Sequence, residues 1–113
     1  MSYDWKSVLV SDHTTIREAL LLLDQTGLQI LLVTDPDRKL LGTITDGDIR
    51  RGLLKGLALD DVIKTIIFTS PTVALVTDSN SDVIKKAVVA KIHQIPIIDE
   101  YNKVVGLKEI DEL

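Results

Sequence analysis

The residues best placed to do chemistry lie in one stretch, Gly42-Thr43-Ile44-Thr45-Asp46-Gly47-Asp48-Ile49-Arg50-Arg51-Gly52-Leu53-Leu54. An apolar strand ends there and a helix begins, with a hydroxyl at Thr45, a carboxylate at Asp48 and two guanidinium groups immediately after. Such a junction can cradle a nucleotide. The free N–H groups and positive dipole end of a helix attract phosphate, Thr45 can donate to a phosphate oxygen, and Asp48 can accept both hydroxyls of a ribose. The same Thr-x-x-Asp spacing is also a capping box, with Thr45 at the N-cap and Asp48 at N3, which closes a helix start with no ligand at all. Arg50 and Arg51 either pair with phosphate or solvate the helix. From the residues alone, both readings stand.

Elsewhere the chain offers little to a catalyst. There is no cysteine, which removes disulfides, thiolate metal sites and cysteine nucleophiles and fits a cytosolic protein. His13 sits in a polar turn and reads as solvated, and His93 by itself is an ordinary loop histidine. Asp35, Asp37, Asp46 and Asp48 lack the alternating oxygens and closing glutamate of an EF-hand loop, so no metal is expected. Neither a Gly-x-Ser-x-Gly elbow nor a Walker loop occurs, and nothing supplies an activated nucleophile or a matched acid and base. We therefore expect no catalytic residues. Thirteen basic against seventeen acidic residues give a net charge of −4, with no basic cluster larger than a pair, which argues against nucleic acid. The N-terminus has no apolar leader, and apolar runs such as residues 19–23 fall far short of a membrane span, so the expectation is a soluble, cytoplasmic protein.

The elements that must position the stretch follow from the hydrophobic pattern. Residues 8–10 are strand-like. Thr15-x-x-Glu18 is a capping box, and Ile16, Ala19, Leu20 and Leu23 follow the spacing of a buried helix face that Gly27 terminates. Residues 28–33 form an apolar run too short for a helix, closed by Asp35-Pro36-Asp37, and residues 40–45 pair with it as a hairpin. Strand, helix and parallel strand imply a right-handed crossover, with the hairpin adding an antiparallel third strand. Asp60 or Asp61 then caps a short helical turn over residues 62–66, which Thr69-Ser70-Pro71 breaks.

The chain then repeats itself. A shift of 64 positions lays Asp35 on Asp99, Lys39 on Lys103, Leu40-Leu41 on Val104-Val105, Gly42 on Gly106 and the helix cap Thr15 on Ser79. The second half therefore reads as strand 73–76, helix 80–91 with Val83, Ile84, Ala87 and Val88 inward, and hairpin 95–98 with 104–107. Each half alone would leave one sheet face bare, so the halves should pack sheet to sheet about a pseudo-twofold axis. The division is residues 1–56, a connection over 57–71, and residues 72–113.

Two copies of strand, helix and hairpin, with Gly-x-h-Thr-x-x-Asp at residues 42–48 and Ile92-His93-Gln94-Ile95-Pro96-Ile97-Ile98-Asp99 in the second copy, resemble a tandem pair of cystathionine-β-synthase (CBS) domains, or Bateman module. The resemblance spans residues 8–113 and implies an α/β (α+β) fold of two β-α-β-β-α repeats. The Thr-Asp-Gly-Asp-Ile-Arg-Arg run also resembles the CBS pair found ahead of bacterial sugar nucleotidyltransferases. What the family implies is a regulatory site in the cleft between the repeats for AMP, ADP, ATP or S-adenosylmethionine, with no other cofactor required. Carried over by position, Thr45 would meet phosphate, Asp48 the ribose diol, and Thr43 and Ile44 the ligand's flank, with Gly47 and Arg51 on the same side. Ala74 and Leu75 would flank the base, while His93 and Gln94 would approach the base or phosphate edge.

The symmetric counterpart departs from this pattern, because the same shift turns Thr45 into Glu109 and Asp48 into Glu112, replacing a phosphate donor by a like charge. One working site is expected. The short run after Glu109 suggests a helix cut from something longer. The function read from the sequence is a regulatory adenine-nucleotide-binding module that controls an attached or partner catalytic domain, a nucleotidyltransferase among the candidates. The alternative is a structural module that dimerises its parent without a ligand. CBS pairs commonly form homodimers, and exposed apolar positions such as Leu53, Leu54 and Leu57 would permit it.

Overall fold

A computed structural model describes residues 4–113; Met1, Ser2 and Tyr3, part of the segment read above as lacking an apolar leader, lie outside the described residues. The chain enters through a 3-10 turn, Trp5–Val8, whose first free N–H, that of Lys6, is taken by the Asp4 carboxylate. The first repeat is β1 (Leu9–Val10), α1 (Ile16–Thr26), β2 (Leu31–Thr34), β3 (Leu40–Ile44) and α2 (Asp46–Leu54). The second is β4 (Ala74–Leu75), α3 (Asn80–Ala90), β5 (Gln94–Ile98) and β6 (Val104–Glu109), followed by a 3-10 turn, Ile110–Glu112, where the first repeat has α2. Two three-stranded sheets result, β1-β2-β3 and β4-β5-β6. In each, the central strand pairs parallel with the first and antiparallel with the third, the topology expected from the crossover and hairpin.

The helices start and stop where their end groups are satisfied. The Thr15 hydroxyl accepts the Glu18 N–H at 3.1 Å, and the Ser79 hydroxyl accepts the Asp82 N–H at 3.2 Å, so equivalent caps open α1 and α3. Gly27 closes α1 at φ +65°, a left-handed backbone that glycine adopts without a Cβ clash. At the equivalent position Lys91 closes α3 with φ +58°.

The repeat is reproduced hydrogen bond for hydrogen bond at the hairpin tips. Asp35 Oδ1 accepts the N–H groups of Asp37 and Lys39, both at 2.9 Å, and Asp99 Oδ1 accepts those of Tyr101 at 2.8 Å and Lys103 at 3.0 Å. The tips then pair with each other. The Leu40 N–H donates to the Asn102 carbonyl and the Val104 N–H to the Arg38 carbonyl, both at 3.0 Å. Each bond is the other moved by one repeat, and Lys39 faces Lys103 between them, marking the pseudo-twofold axis.

The core joins the two sheets. Val104 and Leu107 of β6 belong to the same buried cluster as Val8, Ile16, Leu31, Leu32, Ile44, Ile49 and Ile63. A fully buried aliphatic side chain of this kind is worth about 1.5–3 kcal/mol, so β6 holds the repeats together.

Several expectations need correction. Strand β2 starts at Leu31 and not at Leu28, because Gln29 turns the backbone to φ +68° after the end of α1. The first strand is shorter than residues 8–10, since Val8 completes the entering 3-10 turn, and β4 is shorter than residues 73–76. Val88, expected inward, is 66% exposed, because α3 buries only the narrow face that carries Val83 and Ala87. The turn Ile63–Ile66 has Val62 at its N-cap with no side-chain cap; the Asp61 carboxylate accepts the Ala58 N–H at 2.7 Å instead. Leu57 is half-buried against the core and not free for a partner, whereas Leu53 and Leu54 are exposed.

Candidate functional site

The strand-to-helix junction of the first repeat is built as a full capping box. Thr45 has an extended backbone, the Asp48 N–H donates to its Oγ1 at 3.4 Å, and Asp48 Oδ2 accepts both the Thr45 N–H at 2.9 Å and the Thr45 hydroxyl at 3.1 Å. The other carboxylate oxygen, Oδ1, accepts from Arg51 Nη2 at 2.9 Å, one helical turn on. Asp48 is thus fixed from below by the backbone and held from above by a guanidinium. The carboxylate is 17% exposed and the arginine 62%, so only the arginine is free to leave. A Cβ placed on Gly47 would lie 3.2 Å from Arg51 Nη1, closer than ordinary contact, so glycine leaves room for the guanidinium to fold back over the helix start.

The connection between the repeats forms the next side of the site. It runs along β3, with the N–H of Thr43 donating to the carbonyl of Phe68 and the N–H of Phe68 donating back, both at 3.0 Å. Gly42 permits this approach, for a Cβ there would sit 2.3 Å from Ile67 Cγ2 and 2.4 Å from the Phe68 carbonyl oxygen. Phe68, Ser70, Pro71 and Thr72 are thereby placed opposite the helix start.

The third side comes from the second repeat. Ala90 at the end of α3, Ile92, and Gln94 and Pro96 of β5 face the junction, and with Ile30, Thr43, Thr45, Asp48 and Arg51 they enclose a cavity of about 400 Å³. That volume suits a small organic ligand. Apolar side chains from both repeats line it, and its charged lining residues are Asp48 and Arg51. The Gln94 amide nitrogen ties this wall to both halves, donating to the Leu28 carbonyl and to Glu109 Oε1, the latter at 2.8 Å. Glu109, the counterpart of Thr45 in the second repeat, is therefore engaged by Gln94, its cross-strand neighbour.

Of the residues singled out from the sequence, Thr43, Thr45, Asp48, Arg51 and Gln94 line the cavity together. Ile44 is fully buried in the main core and supports the wall from behind, and Gly47 lies under the Arg51 side chain. Ala74 is fully buried in the smaller core, and Leu75 lines a separate depression with Val76, Thr77, Asp99 and Glu100. His93 is exposed, and its carbonyl accepts the Ile110 N–H at 2.8 Å. The sequence reading did not single out Ile30, Phe68, Ser70, Pro71, Thr72, Ala90, Ile92 and Pro96. The signal available was the run Thr69-Ser70-Pro71, whose composition marks a helix end and the connection between the repeats but not its place against β3. Among the described residues no cluster of His, Asp and Glu is arranged to hold a metal, and no helix is long and apolar enough to cross a membrane.

Comparison with known proteins finds the same arrangement elsewhere. The CBS domain model matches residues 4–55. The arabinose 5-phosphate isomerase GutQ of Shigella flexneri is similar, at 32% identity over 92 residues, covering 81% of this chain and 29% of that protein. The chain spans about a third of the length of the curated relatives it matches. Among solved structures, the CBS domain protein PAE2072 of Pyrobaculum aerophilum, complexed with AMP, superposes with a TM-score of 0.81 at 24% identity, covering 94% of this chain and 82% of that one. The CBS domain pair of protein MJ0100, in complex with 5′-methylthioadenosine and S-adenosyl-L-methionine, superposes with a TM-score of 0.80 at 25% identity, covering 93% of this chain and 86% of that one. Residues 4–55, the first repeat, thus match the CBS domain model, and the second repeat completes the architecture, so the chain has the fold of a CBS domain pair.

Proposed function

We propose that the chain is a regulatory module that binds an adenine nucleotide or related adenosyl ligand, namely AMP, ADP, ATP or S-adenosylmethionine, between its repeats and has no catalysis of its own. The observation that carries this reading is the cavity of about 400 Å³ shared by both repeats, with Thr45, Asp48 and Arg51 on one wall and Gln94 on the other. The complexes of PAE2072 with AMP and of MJ0100 with S-adenosyl-L-methionine support the ligand class. In the bound state Asp48 accepts the ribose hydroxyls, Thr45 and Arg51 meet phosphate, and Thr43 and Gln94 contact the ligand's flanks. Ala74 and Leu75 lie further off, and His93 reaches the ligand only by turning from solvent.

Because its walls come from different repeats, a ligand that fits one relative position of the repeats better than another shifts the population toward it. That shift is the signal passed to an attached catalytic domain. The similarity to the arabinose 5-phosphate isomerase GutQ, of which 29% is matched, supports attachment to a catalytic domain such as a sugar-phosphate isomerase. The Thr-Asp-Gly-Asp-Ile-Arg-Arg run makes a sugar nucleotidyltransferase the other candidate, and the setting we propose is the cytoplasm. The apolar Leu53 and Leu54, exposed beside Leu20 and Ile49, favour a homodimer through the helices. Calorimetric titration of the chain with AMP, ADP, ATP and S-adenosylmethionine tests the proposal. Saturable binding of one ligand per chain supports it, and no binding across the panel leaves the dimerisation role in its place.

A further inference from the structure

We propose that Arg51 is a latch that makes the cavity selective for a nucleoside 5′-monophosphate. The inference rests on the reading of the cavity as a nucleotide site. It starts from the partners of one carboxylate. Asp48 Oδ2 is committed to the backbone and hydroxyl of Thr45, contacts that hold the start of α2. Oδ1 has one protein partner, Arg51 Nη2 at 2.9 Å, and that partner belongs to the more exposed side chain of the pair. With both acceptor sites of Oδ2 used and Arg51 on one of the two at Oδ1, a single site is left for a ribose diol that brings two hydroxyls, so the diol competes with Arg51 for Oδ1.

Displacement of the guanidinium is costly unless the ligand replaces what Arg51 loses. A 5′-phosphate does so. Arg51 lies over Gly47 at the start of α2, so a short swing turns the guanidinium from the carboxylate toward a phosphate at the helix start. The ion pair Asp48–Arg51 is then exchanged for the two ribose hydroxyls at Asp48 Oδ1 and a forked guanidinium–phosphate pair at Arg51. The exchange conserves charge pairing in the lining, where Asp48 and Arg51 are the charged residues.

Other ligands of the class leave the exchange incomplete. Adenosine breaks the ion pair and gives Arg51 nothing in return. S-adenosylmethionine carries its sulfonium where the phosphate would be, next to the released guanidinium, and like charges at such range repel. Di- and triphosphates bring anionic charge for which the described lining holds no second cation. A monophosphate matches one released cation with one anionic group.

The test is the AMP-to-adenosine preference of the 113-residue chain and of two variants, Arg51→Gln and Arg50→Gln, measured by calorimetry with circular dichroism confirming the fold. Arg50 borders a different depression, with Leu53 and Leu54, and serves as the control. The wild-type chain should prefer AMP by about tenfold or more, the usual scale for one charge-assisted contact. Arg51→Gln should abolish the preference from both sides, weakening AMP and tightening adenosine, because the latch no longer competes for Asp48. Arg50→Gln should keep it. Adenosine affinity that is unchanged or weaker in Arg51→Gln, or an unchanged preference, overturns the latch while the nucleotide site stands. A wild-type chain that binds AMP and adenosine equally also refutes the latch alone, whereas one that binds neither refutes the site and the latch together.

Discussion

Gly42 and Gly106 occupy equivalent positions in the two repeats, yet alanine should act oppositely at them. At Gly42 the added methyl would lie 2.3 Å from Ile67 Cγ2 and 2.4 Å from the Phe68 carbonyl oxygen, and the second neighbour is backbone that cannot rotate aside. Relief requires the connection to move off β3 by about 1 Å, to regain ordinary contact distances of about 3.5 Å. That movement strains the paired hydrogen bonds between Thr43 and Phe68, both 3.0 Å long. Overpacking of this kind costs about 1–3 kcal/mol, and a weakened hydrogen bond adds about 0.5–1.5 kcal/mol, so the expected loss is about 1.5–4.5 kcal/mol. At Gly106 the nearest atom is Ile97 Cβ at 3.6 Å, an ordinary contact, and alanine there should be neutral or stabilising by up to about 1 kcal/mol through the unfolded chain. Urea unfolding of the wild type, Gly42→Ala and Gly106→Ala measures both. Since the displaced segment carries Phe68 and Ser70 of the cavity wall, Gly42→Ala should also weaken ligand binding. Equal stability of the two variants would refute the role given to the connection.

Acid should weaken the chain partly through Asp78. The Lys86 ammonium at 2.7 Å, with the Leu75 N–H, holds this carboxyl below its ordinary 3.8, so its contribution is complete above that value and is lost as the pH falls through the lower folded value. Asp78→Asn should accordingly lose less stability than the wild type between about pH 5 and about pH 3, measured by denaturant unfolding at each pH. At the hairpin tips, Asp99→Ala removes the acceptor of the Tyr101 and Lys103 N–H groups and should cost about 1–2 kcal/mol, and Asp35→Ala, with the same pair of bonds, should cost a similar amount. Thermal unfolding of both variants checks this; a large difference between them would contradict the pseudo-twofold equivalence of the tips.

The parts of the fold legible in the sequence are those set by local chemistry or by repetition. Thr15 and Ser79 cap their helices because a hydroxyl one residue before a helix satisfies its free N–H groups, wherever the helix packs. Asp35 and Asp99, one repeat apart, fold their tips by bonds to their own neighbours. Long-range contacts were less visible. Val88 has the spacing of a buried position on α3, but only packing decides how wide a face is covered. The pairing of Phe68 with Thr43 joins a segment without strand pattern to β3, and that pairing brings the connection into the cavity wall. At the site, Thr45 and Asp48 were legible from their spacing, though capping and ligand contact share it. The bond from Arg51 to Asp48 depends on side-chain direction at one helical turn and on the missing side chain of Gly47, which spacing alone does not reveal.

The most direct measurement is the affinity of AMP for the wild-type chain and for Asp48→Ala, with the stability of each determined in the same buffer. The variant loses a cap partner, so a fall of about 0.5–2 kcal/mol in stability is expected and does not by itself bear on binding. If Asp48 holds the ribose, AMP should bind about tenfold to a hundredfold more weakly to a variant that is still folded. Unchanged affinity in a folded variant would contradict the placement of the ligand between the repeats and leave Asp48 as a helix cap alone.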